Sequence, residues 1–110
     1  MINLSIAPKA QNDLHDIKEY ITKELESPKA ALNIVSKITK RIRSLSTFPE
    51  IGARLDSIID IETDYRILVC GNYNVFYRIV EKTIRVNRII HGKRDYIKIL
   101  FNNTNRKTYE

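Results

Sequence analysis

The chain has 110 residues, a single cysteine (Cys70) and a formal net charge of +6, which bounds it to one domain and excludes both an intrachain disulfide framework and a cysteine-based zinc site. Hydrophobic residues at 43% and charged residues at 29% suit a modest core inside a soluble surface, and the positive excess favours an anionic partner. No apolar run is long enough to span a bilayer, and the N-terminus lacks a basic start followed by an apolar stretch, so no membrane partner and a cytoplasmic location are expected.

Residues 2–6 alternate apolar and polar, the pattern of a short half-buried strand. Pro8 stops that strand and can occupy the first turn of a helix. From Ala10, the residues Leu14, Ile17, Ile21 and Leu25 recur at three- and four-residue spacing, predicting an amphipathic helix to about Glu24. Ser27-Pro28 is a second start signal, with Ser27 as N-cap. The helix it opens carries Ala31, Ile34, Val35, Ile38, Ile42 and Leu45 on one face and ends near Thr47. So short a link makes the two helices an antiparallel hairpin.

Charge is segregated along that hairpin. Residues 9–26 hold three lysines against five acids, whereas residues 27–49 hold five cations and no acid. Either the helices attract one another across solvated faces, or Lys37, Lys40, Arg41 and Arg43 form a basic ridge for an acidic partner.

Residues 50–64, with Gly52 and the acids Asp56, Asp60, Glu62 and Asp64, read as an irregular connection. Three strands are predicted next, at Tyr65–Cys70, Tyr73–Val80 and Thr83–His91, rich in β-branched and aromatic residues. The two-residue links Gly71-Asn72 and Glu81-Lys82 make them an antiparallel meander. After Gly92-Lys93 a short closing helix begins around Tyr96, followed from residue 102 by a polar tail expected to fray. The fold class is α+β, ordered β-αα-βββ-α, with an antiparallel sheet packed against a helical hairpin and one domain over residues 1–101.

Chemistry concentrates between Arg78 and Arg94, where Arg78, Arg85, Arg88, His91, Lys93 and Arg94 face only Glu81 and Asp95. Strict alternation turns Ile84, Val86 and Ile90 toward the helices and leaves Arg85, Asn87 and His91 on the open face. Arg88 then reads as an edge or ion-paired arginine. An imidazole such as His91 titrates near neutrality and suits general acid–base work, and nearby arginines can hold a phosphate. Tyr96 either stacks on a base or packs the last helix. There is no Ser/His/Asp order, no phosphate-cradling glycine loop and no acid cluster with ligand spacing, so neither metal nor cofactor is expected.

The strings Tyr65-Arg66-Ile67-Leu68-Val69, Gly71-Asn72-Tyr73-Asn74-Val75-Phe76-Tyr77-Arg78-Ile79 and Arg88-Ile89-Ile90-His91-Gly92-Lys93-Arg94-Asp95-Tyr96 closely resemble the RelE/ParE superfamily. These are toxins of bacterial type II toxin–antitoxin modules, including plasmid stabilisation proteins. Phe48-Pro49, Gly52 and Leu55 look like the same family's link after its helical hairpin. The resemblance covers nearly the whole chain in element order and is motif-like over residues 48–96.

It implies a RelE/ParE-like fold, a small cognate antitoxin held in a hetero-oligomer, and one of two targets. RelE-type members are metal-independent ribonucleases that cut messenger RNA on the ribosome; ParE-type members poison DNA gyrase. Arg66 and Arg94 fall on basic ribonuclease positions. Leu68 replaces a basic residue there, Asn74 replaces an arginine, and Leu100 falls about where a tyrosine would be. His91 lies within a residue of the histidine of another ribonuclease branch. The overall string resembles ParE more than RelE, so gyrase is the expected target, with the ribonuclease as runner-up and a non-toxic nucleic-acid-binding module as a remote third reading. If the chain is a ribonuclease, Arg66, Arg78, His91, Arg94 and Tyr96 are its candidate catalytic residues. The target surface is expected at Arg66, Arg78, Arg85, His91, Lys93 and Arg94, and the antitoxin surface at Lys37, Lys40, Arg41 and Arg43. A two-residue turn at Gly71-Asn72 puts Arg66 and Arg78 on opposite faces of the sheet; a three-residue turn puts them on the same one.

Overall fold

In the computed structural model, which describes residues 2–101, the chain runs β1 (Asn3–Ile6), α1 (Pro8–Leu25), α2 (Pro28–Ser44), β2 (Ala53–Arg54), one 3-10 turn (Leu55–Ser57), β3 (Arg66–Cys70), β4 (Tyr73–Val80) and β5 (Thr83–His91). Residues 96–101 are helical. The polar tail expected from residue 102 lies outside the described residues. Pro8 and Pro28 each open a helix, where a missing N–H leaves no intrahelical bond unmade. Ser27 caps α2, its Oγ accepting the Ala30 N–H at 3.1 Å.

The sheet order is β1-β5-β4-β3-β2. Strands β3, β4 and β5 form the expected antiparallel meander, while β1 joins its edge parallel to β5, with Asn3 opposite Thr83 and Ile6 opposite Val86. The connection at residues 50–64 is not wholly irregular. Ala53 and Arg54 pair with Ile67 and Arg66, and the 3-10 turn follows directly. Tyr77 sets that detour: its fully buried hydroxyl donates to Pro49 O at 2.7 Å and accepts the Gly52 N–H at 2.9 Å.

Strict alternation along β5 does not survive. Phe76 lies opposite Arg88 but Tyr77 lies opposite Val86, so Asn87 is an extra residue and the ladder shifts there. The bulge reverses the facing of everything after it. Ile84, Val86 and Ile89 belong to the core under the helices, with Leu68, Tyr73, Val75 and Tyr77. Ile90 instead joins Leu55, Ile67 and Phe76 in a second cluster, onto which Tyr96, Ile99 and Leu100 pack. The expectation that Ile90 faces the helices and His91 the open face is therefore corrected, because one inserted residue inverts a period of two. The second face is also partly covered, by the closing helix.

Arg88 is the paired arginine its position suggested. Its guanidinium closes on Asp13 of α1 through Nε–Oδ2 at 2.8 Å and a second bond at 2.9 Å, and the same carboxylate accepts the Ile89 N–H at 2.8 Å. Parallel pairing with β1 stops at Val86, so Asp13 satisfies a backbone donor on the stretch of β5 that β1 does not reach.

Candidate functional site

The turn at Gly71-Asn72 has two residues, with Cys70 opposite Tyr73 and Gly71 at a φ of 60° that suits glycine. Arg66 is thus opposite Tyr77, on the helix-facing side, and Arg78 is on the other side. Each guanidinium is engaged locally. Arg66 donates to Gly52 O at 2.7 Å and lies 4.0 Å from the Glu50 carboxylate. Arg78 forms a bidentate pair with Asp64 at 2.7 and 2.9 Å, which holds the Asp64 carboxyl below its ordinary value. Its guanidinium carbon also lies 5.9 Å from the centroid of the Tyr65 ring. Among the described residues, exposed Arg85 reaches only Ser5 Oγ, at 3.4 Å. Tyr96 packs its ring 5.0 Å from that of Phe76, so of its two readings the packing one describes its contact.

His91, Lys93 and Arg94 do come together, at the Gly71-Asn72 end of the sheet. His91 lies opposite Tyr73, edge-on, with ring centroids 5.1 Å apart. Its Nδ1 accepts the Lys93 N–H at 3.1 Å, and its carbonyl accepts the Arg94 N–H at 3.0 Å. Since Nδ1 is an acceptor, the proton of the neutral ring sits on Nε2. Beside it opens a pocket of about 350 Å³ lined by Gly71, Asn72, Asn74, His91, Gly92 and Lys93. Arg66 is four positions away along β4, roughly 13 Å at the ordinary strand rise, so the four candidate catalytic groups do not meet at one point. Asn72 and Gly92 were not singled out from sequence; the signal available was their place in the two turns that a hairpin register brings side by side. Gly92 N donates to Asn72 O at 2.8 Å.

A larger groove, about 620 Å³, continues from this pocket between the hairpin end and α1. Its walls include Tyr20, Ile34, Tyr73, His91, Lys93 and Arg94, with Asp16 and Glu24 on the helical side.

On α2, Lys37, Lys40 and Arg43 are exposed. Arg41 is half-buried and donates from Nη2 to Val69 O at 3.4 Å. Among the described residues no ion pair links α1 to α2 or engages these four cations. Burial pushes the Cys70 thiol up, with Arg41 and Lys37 pulling the other way, which places both charges near the end of β3. Among the described residues no cluster of three or more His, Cys, Asp or Glu is placed to hold a metal ion, and no helix is long and apolar enough to cross a membrane.

A two-layer fold with a meander, a helical hairpin and a basic hairpin end defines the RelE/ParE class of small toxins, and sequence and structure comparisons agree. The profile of the family described as ParE toxin of type II toxin-antitoxin system, parDE, matches residues 4–96; the chain belongs to that family. A chain of the chromosomal ParDE system from P. aeruginosa superposes with a TM-score of 0.69 at 26% identity, covering 83% of this chain and 96% of that one. A chain of the RelBE2 toxin–antitoxin complex from Mycobacterium tuberculosis gives 0.60 at 20% identity, over 82% and 96%. The isolated E. coli RelE toxin gives 0.53 at 12% identity, over 97% and 99%, a likeness of fold. No match was found among curated protein sequences.

Proposed function

We propose that this chain is the toxin of a type II toxin–antitoxin pair, that a cognate antitoxin neutralises it, and that it inhibits DNA gyrase rather than cutting messenger RNA. The observation that carries the choice of target is the separation of Arg66 from Arg78. They occupy opposite faces, and each is held by a local carbonyl or carboxylate. Ribonuclease chemistry needs several donors converging on one phosphorane, and a missing donor costs on the order of 10²–10³ in rate. Asn74, neutral where the ribonuclease relatives are expected to carry an arginine, fits the same reading. The antitoxin surface is assigned to Lys37, Lys40, Arg41 and Arg43, cations that no acid of the described chain pairs with.

The test is a gyrase supercoiling assay run beside in-vitro translation with the purified protein. Trapped gyrase–DNA cleavage complexes with intact messenger RNA are expected. Cleavage of messenger RNA between codons on ribosomes, abolished by His91→Ala or Arg94→Ala, would instead establish the ribonuclease.

A further inference from the structure

We propose that the pocket at the Gly71-Asn72 end of the sheet is a binding site for a phosphate group of single-stranded nucleic acid. Its lining offers donors and no carboxylate: the Asn72 and Asn74 amides, the Lys93 ammonium and the His91 ring. The bond from Lys93 N–H to His91 Nδ1 leaves Nε2 as the protonated ring atom and holds the imidazole in place. An imidazole fixed this way is a directed donor to an anionic oxygen. Gly92 keeps the pocket open, since a Cβ there would stand 3.3 Å from Asn72 O and 3.9 Å from Asn74 Nδ2.

The adjoining groove selects nucleic acid among phosphate carriers. It shares Asn72, His91 and Lys93 with the pocket and adds Tyr20, 61% exposed on α1, together with Tyr73 and Arg94. An exposed aromatic lining the groove that adjoins a phosphate site offers a stacking surface for a neighbouring base, the pairing on which single-strand binding rests. Of the nearby acids, Asp13 is occupied by Arg88 and the Ile89 N–H. Asp16 and Glu24 flank Tyr20 one turn to either side on α1, where their carboxylates can accept from base N–H or sugar hydroxyl groups of a stacked nucleotide.

The site rests on the reading of the chain as a toxin with a nucleic-acid-bearing target, but its test uses the isolated protein and is independent of gyrase or translation assays. ¹H–¹⁵N NMR spectra of the full chain at physiological salt would be titrated with inorganic phosphate, a short oligothymidylate and an oligouridylate of equal length. We expect either oligonucleotide to move the His91 ring, the Asn74 side-chain amide and the Gly92 N–H first. Asn74→Asp, isosteric but anionic, and Gly92→Ala should each weaken binding about tenfold or more, while Lys82→Gln at the opposite end of the sheet should not. Response to only one of the two sugars still supports the site and names the strand. Shifts spread along α2 and indifferent to Asn74→Asp would overturn the proposal, as would a response to inorganic phosphate alone. Circular dichroism on both pocket variants separates lost binding from lost fold.

Discussion

Tyr77 has no exposed surface, yet it carries a hydroxyl, and its two hydrogen bonds tie the Pro49–Gly52 segment to the middle of the sheet. Tyr77→Phe leaves a carbonyl and an N–H without their partner, and should cost about 1–3 kcal/mol in urea unfolding. Gly52→Ala should cost at least as much, because its Cβ would lie 2.7 Å from the Tyr77 hydroxyl and 2.9 Å from Ile67 O, one of them backbone. Combining the two changes should cost less than their sum, since the phenylalanine removes the closest of those clashing atoms. Burial pushes the hydroxyls of Tyr65, Tyr73 and Tyr77 above the ordinary 10.0. An unfolded tyrosine therefore ionises first. Stability should be level below pH ~10 and fall as the pH rises from there through the folded values, which alkaline unfolding followed at several pH values would show. The Asp13–Arg88 clamp is the other exacting contact, with side chains only 12% and 22% exposed. Asp13→Ala strands a guanidinium and the Ile89 N–H together, and about 2–4 kcal/mol should be lost. None of these pairings was legible in the sequence. Residues 13 and 88, or 52 and 77, are distant in the chain and of unremarkable type, and only the folded register brings them together.

The secondary-structure elements were legible wherever their signals are local. Ser27-Pro28 marks a helix start, Gly71-Asn72 a hairpin turn, and the apolar residues of α2 a buried face; each requires only its neighbours to act. Strand β2 was invisible because two residues carry no periodicity, and the Asn87 bulge left only an ambiguous trace, since the break in alternation at Arg88-Ile89 is equally what an ion-paired arginine at a sheet edge would give. That single residue decides which side His91 and Ile90 occupy, so the facing of the candidate site could not be read from pattern alone. The turns contain one local conflict. Glu26, after α1, and Glu81, between β4 and β5, have φ values of 48° and 56°, where a Cβ is unfavourable. Glu26→Gly and Glu81→Gly should each stabilise the protein by up to ~1 kcal/mol, seen as a higher urea midpoint at unchanged slope. Ser27→Ala should move the midpoint the other way, by about 1 kcal/mol.

At the scale of the whole molecule, two groups of exposed cations stand out, the ridge on α2 and the hairpin end around Lys93 and Arg94, and they approach one another near the end of β3, where Arg41 reaches Val69 O. Replacing Lys40 and Arg41 together by Glu should slow capture of the antitoxin and flatten its dependence on salt, measurable by stopped-flow mixing at several ionic strengths. Unchanged association at low salt would place the antitoxin elsewhere.

The parallel pairing of β1 with β5 joins Asn3 to Thr83, a contact that spans most of the chain and closes a large loop before any reward is collected. A ribosome adding roughly 5–20 residues per second needs on the order of 4–16 s to go from the first of these residues to the second. Through that interval the N-terminal strand has no partner and the sheet has no fifth member. The sheet therefore closes only once β5 has been made, and until then β1 is an edge with nothing to pair with, so a chain stopped before Thr83 should lack the parallel pair however much of the rest has formed.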